Sequence, residues 1–167
     1  SAIKALLFAE PETAHALLAK CADVLASYLA EQVRAGADAA MLFDTWAGLL
    51  APEDYRTFAL PYARRVLEAA RSAAPSVPRI YYAGDAAGWL EACRDTGAEV
   101  VGVDWHIGLD VARRRLGPDV VLQGNLDPAV LLGPLPQIRD RASTVLAEAR
   151  AGQRGRRLPR GGTCRRV

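Results

Sequence analysis

Between Pro11 and Val33 the apolar residues Ala14, Leu17, Leu18, Cys21, Leu25, Tyr28, Leu29 and Val33 recur at spacings of three and four. That is the period of a helix burying one face. Pro11 suits its first turn, where a missing N–H costs nothing, and Gly36 suits the position just past its end. His15 stands off this stripe and reads as a surface or rim histidine. The pattern then shortens to a strand, "DAAMLFD" (38–44), before Pro52 opens a second helix, "PEDYRTFALPYARRVLEAARSAA". Pro61 inside that helix predicts a kink or a break after Ala59.

Further on, strands are expected at 79–84, 99–105 and 119–127, separated by helices over 86–97 ("AAGWLEACRDTG", with Trp89, Leu90 and Cys93 apolar) and "DVARRRLG". A last helix over 134–151 carries Ile138, Val145 and Leu146. Alternating helices and strands imply parallel strands with right-handed crossovers. The near-continuous apolarity of several strands is that of sheets covered on both faces. "AGADAAMLFDTWAG" and "TGAEVVGVDWHIG" echo each other as a weak internal repeat of one βα unit.

Length and composition narrow the picture. The 167 residues make one domain or a piece of a larger one, and with 51% apolar residues a packed core is within reach. No run of eighteen apolar residues suggests a membrane helix, and the N-terminal stretch lacks the basic region and cleavage site of a signal peptide. Cys21, Cys93 and Cys164 are odd in number and far apart, as reduced cytosolic thiols are, and no Cys/His cluster suggests a metal. The net charge of +2 conceals an asymmetry: residues 150–167 carry seven arginines and no acid, so the first 149 residues sum to −5. A basic tail can bind nucleic acid through phosphates. Without interleaved aromatics or a recognition helix, nucleic-acid binding is not expected.

In parallel α/β folds, ligands gather at the carboxyl ends of the strands. Those ends read Asp44-Thr45, Gly84-Asp85, Asp104-Trp105-His106 and Gly124-Asn125-Leu126-Asp127. Polar residues cap strands that enter solvent, but four coincident polar ends also suit a lined cavity mouth. Asp104 and His106 share a strand face and could be a base with its orienter, or a structural pair. G-x-S-x-G, H-E-x-x-H and G-x-x-x-x-G-K-[ST] are all missing, so no complete catalytic set emerges.

"MLFDTWAG" and "LQGNLDP" resemble the uroporphyrinogen decarboxylase family, whose members remove the carboxylates of four acetate arms in the haem pathway. The resemblance runs from about residue 4 to residue 152, through "FDTWAGLLAPEDYRTFALPYARRV" and "TGAEVVGVDWHIGLDVARRRLGPDVVLQGNLDPAVLL". It implies a partial (β/α)8 TIM barrel, strands four to seven of eight, from a cytosolic homodimer that uses no metal or organic cofactor. It implies a porphyrinogen substrate, uroporphyrinogen III, converted to coproporphyrinogen III. The family's Arg-Gln-Ala-Gly-Arg-Tyr segment, central aspartate and terminal Gly-His-Gly are missing here. One family binding residue is matched: Thr45, whose hydroxyl can donate to a substrate carboxylate. Phe43, on the same strand face, could pack against a pyrrole ring. Asp44 would point to the opposite face and hold the adjoining loop. No catalytic residue is carried over, and inactivity of the chain alone is the expectation.

Residues 153–167 depart abruptly from the family pattern and read as a separate arginine-rich tail, disordered or translated from a shifted frame. Two rivals stand beside this reading. One is a corrinoid-linked methyltransferase of the same superfamily, which needs thiolate and imidazole zinc ligands where the strand ends offer only His106. The other is a non-catalytic half-barrel whose open strand edges promote self-association.

Overall fold

The structure, a computed structural model, describes residues 2–151; the expected tail at 153–167 lies outside them. Seven helices and four strands alternate as α1 (Ala2–Ala9), α2 (Pro11–Arg34), β1 (Ala40–Asp44), α3 (Pro52–Phe58), α4 (Leu60–Ala73), β2 (Arg79–Ala83), α5 (Glu91–Arg94), β3 (Val100–Gly102), α6 (Leu109–Leu116), β4 (Val121–Gln123) and α7 (Leu135–Ala151). The expected punctuation is visible. Pro11 opens α2, and Gly36 takes φ +102°, the left-handed region that glycine enters without steric cost. Ala59 leaves helical geometry between α3 and α4 at φ −120°, ψ −54°, which lets Pro61 fall in the first turn of α4.

All strand pairs are parallel and lie in the order β1-β2-β3-β4, as four consecutive βα units require. Ala40 to Asp44 of β1 pair in step with Arg79 to Ala83 of β2. Ile80–Tyr82 then pair with Val100–Gly102, and those with Val121–Gln123. Side chains alternate across the sheet. Tyr81 and Val101 point into the layer beneath the helices and are both 0% exposed. There they join Val66, Leu67, Leu90, Cys93 and Leu116 in one core. Fully burying a side chain the size of Leu67 contributes about 2 kcal/mol relative to leaving it in water.

Several expectations need correction. The sheet is covered on one face only: Phe43 and Val121, on the other, are 63% and 52% exposed. The strands expected at 99–105 and 119–127 shrink to three residues each, because the chain turns away once Asp104 and Asn125 bind neighbouring loops. The helix expected at 86–97 is a 3₁₀ turn, Ala86–Trp89, followed by the single turn of α5. On α2 the small residues Ala14, Ala22 and Ala30 face inward with Leu29 and Val33, whereas Leu17, Leu25 and Tyr28 stay exposed. Close approach to α4 favours alanine there, and the larger residues are left for something else to cover. Leu146 of α7 is likewise exposed. The separate helix α1 was not foreseen.

Candidate functional site

The uncovered sheet face forms the floor of a basin of about 280 Å³ at the strands' carboxyl ends, lined among others by Met41, Phe43, Tyr82, Gly102, Asp104 and Asn125. Phe43 and Tyr82 are cross-strand partners, and their rings stand 5.6 Å apart at 56°. Gly102, next across on β3, makes room for the tyrosine: a Cβ there would come within 3.0 Å of Tyr82 Cβ and Cδ2. Thr45 is exposed at the rim just beyond β1. It is not part of the basin lining, and its hydroxyl has no hydrogen-bond partner among the described residues.

Asp44 turns to the opposite face, where it is held by a chain of tyrosine hydroxyls. The Tyr55 hydroxyl donates to that of Tyr81 at 2.9 Å, and Tyr81 donates to Asp44 Oδ2 at 3.0 Å. Tyr55 stacks on Trp89 with ring centroids 3.8 Å apart. This chain pins the end of β1, and so the start of the Thr45 loop, to α3. Burial raises the Asp44 carboxyl above its ordinary range, an effect the Tyr81 hydrogen bond opposes. Burial also pushes both phenols upward, so they remain donors.

Asp104 organises the other rim. Its buried carboxylate accepts the Asp85 N–H through Oδ2 at 2.5 Å and the His106 N–H through Oδ1 at 3.0 Å. His106 Nδ1 lies 3.2 Å from Asp104 Oδ1 and 3.1 Å from Asp85 Oδ1. The expected Asp104–His106 pair thus forms, with Asp85 as a third member. One ligand atom from each lies within 4.8 Å of the others, a spacing that could hold a cation. It offers no thiolate, so it is not the Cys/His zinc centre that a methyltransferase would need. Asn125 Nδ2 donates to the carbonyls of Asp104 (3.0 Å) and Ile107 (2.5 Å), tying the β4 loop to the β3 loop.

The family model for uroporphyrinogen decarboxylase (URO-D) matches residues 1–156 of this chain. The chain belongs to that family. It is 48% identical over 147 residues to the uroporphyrinogen decarboxylase of Gloeobacter violaceus, a match covering 88% of this chain and 42% of the relative. Similar matches are the proteins of the same name from Rhodococcus opacus (48% over 148 residues; 89% and 41%) and Legionella pneumophila (44% over 142 residues; 85% and 40%). The chain therefore spans about two fifths of the length of these relatives. Its four-stranded parallel sheet with flanking helices is that of a partial (β/α)8 barrel of this family.

Tyr82 and the Tyr55–Tyr81–Asp44 chain escape a reading of the sequence, and Asp85 is legible there as a polar strand end but not as a partner of His106. The period-two alternation that pairs Phe43 with Met41 also places Tyr82 on the inner face, once β2 is set in register with β1. Nothing in the sequence marks Tyr55, on a helix, as the partner of Tyr81.

Proposed function

We propose that this chain is the central-to-C-terminal part of a uroporphyrinogen decarboxylase. Joined to the rest of its barrel, it would help strip the four acetate carboxylates of uroporphyrinogen III to give coproporphyrinogen III, in a cytosolic homodimer. The observation that carries this reading is the aromatic-floored basin on the inner face of four parallel strands, in a chain of this family. Phe43 lines that basin and would lie against a pyrrole ring. Thr45, at its rim, would donate a hydrogen bond to a substrate carboxylate. Decarboxylation requires a proton delivered to the pyrrole carbon and a counter-charge for the cation so formed. The family residues that match those tasks have no counterpart here, so the chain alone should not turn over.

The test is incubation of the purified chain with uroporphyrinogen III under anaerobic conditions, with products separated by carboxylate number. No coproporphyrinogen is expected. Co-expression with the parts of the Gloeobacter violaceus relative that lie before and after the matched segment should restore product, and Thr45→Ala in that assembly should lower the rate about tenfold, the loss of one hydrogen bond to a charged group. Turnover by the isolated chain, or none by the assembly, would defeat the reading.

A further inference from the structure

Resting on the porphyrinogen reading above, we propose that Tyr82 is a second substrate-contacting side chain of the basin, its hydroxyl donating to an acetate carboxylate of the macrocycle. Three observations lead there. The side chain is held on the inner face by strand register, opposite Phe43 on one side and Gly102 on the other. Gly102 leaves the space into which the Tyr82 ring settles, with Tyr82 Cδ2 3.0 Å from where a Cβ would be. The hydroxyl has no hydrogen-bond partner among the described residues, although the ring is half-buried in the basin wall.

The surroundings define what that hydroxyl can meet. The lining near it is largely apolar, with Met41, Phe43 and Val103, and includes no lysine or arginine. The carboxylate of Asp104 is already engaged by two backbone N–H groups. Burial and the neighbouring Asp104 and Asp85 raise the Tyr82 phenol, keeping it protonated. A substrate carboxylate entering this part of the basin therefore finds a neutral donor beside an aromatic wall. The Phe43 and Tyr82 rings, inclined at 56°, would bear on the macrocycle while the hydroxyl reads the arm.

The experiment uses the whole chain and two fluorescent oxidised macrocycles. Uroporphyrin keeps the four acetate arms, and coproporphyrin has methyl groups in their place. Both are titrated against wild type, Tyr82→Phe and Phe43→Ala. Tyr82→Phe should weaken uroporphyrin binding about tenfold while changing coproporphyrin by less than about twofold, because only the acetate contact is lost. Phe43→Ala should weaken both porphyrins alike. Equal or no effect of Tyr82→Phe on the two ligands would overturn the role of Tyr82 and leave the family reading intact. Failure of the wild-type chain to bind either porphyrin would overturn the porphyrinogen reading of this basin and the role of Tyr82 with it, while family membership, which rests on the sequence match, would stand.

Discussion

Asp44 ends β1 with its carboxyl under the helices and a tyrosine hydroxyl 3.0 Å away. Burial is the larger influence on it, so the folded protein favours the protonated acid more than the unfolded chain does. Below the ordinary carboxyl value of 3.8 both states carry the proton and the burial costs nothing. As pH rises past that value, the unfolded chain ionises first and stability falls. Asp44→Asn keeps an acceptor for Tyr81 and removes the charge. Its urea midpoint should exceed that of wild type near neutral pH, with the gap closing below pH about 4. Tyr81→Phe acts in the opposite sense: it deprives Asp44 of a donor and Tyr55 of an acceptor, and should cost about 1–3 kcal/mol in the same assay.

Elements were legible to different degrees, for physical reasons. Helix α2 and the α3–α4 break declare themselves through Pro11, Gly36 and Pro61, residues whose backbone limits act locally. The face that α2 buries was misjudged because periodicity weights large apolar residues, while close helix packing selected Ala14, Ala22 and Ala30. β3 and β4 look longer in sequence than they are because Val103, whose N–H still donates to the Gln123 carbonyl at 2.8 Å, and Val120 are buried just outside the paired residues and resemble ladder residues. Phe43 could be read from alternation and family pattern, whereas the link between the first two strand loops could not. Gly48 donates its N–H to the Gly84 carbonyl at 2.9 Å, and a Cβ on Gly48 would fall 2.2 Å from Asp85 Cβ. Gly48→Ala must therefore push those loops apart. A loss of roughly 1–3 kcal/mol is expected from overpacking, with Gly88→Ala, where a Cβ meets nothing within 4 Å, as the mild control.

Across the whole molecule, apolar surface is left uncovered beside the β1 edge. A groove of about 300 Å³ there is lined by Ile3, Leu18, Leu25, Phe43, Trp46 and Leu49 among others, and Trp46 is 76% exposed. Surfaces of this kind attract dyes and other chains. The purified chain should brighten a hydrophobic fluorescent dye, and its sedimentation should shift with concentration. Leu25→Glu should reduce both signals while leaving the helical circular dichroism unchanged.

Because α2 precedes β1 and α7 follows β4, a helix flanks the sheet at each end. If two identical chains met edge to edge, both helices would be brought to a single seam that a closed ring can fill with only one. Identical subunits thus have no neat way to finish the cylinder. The natural complement is a lopsided piece that arrives with one helix fewer than its strands.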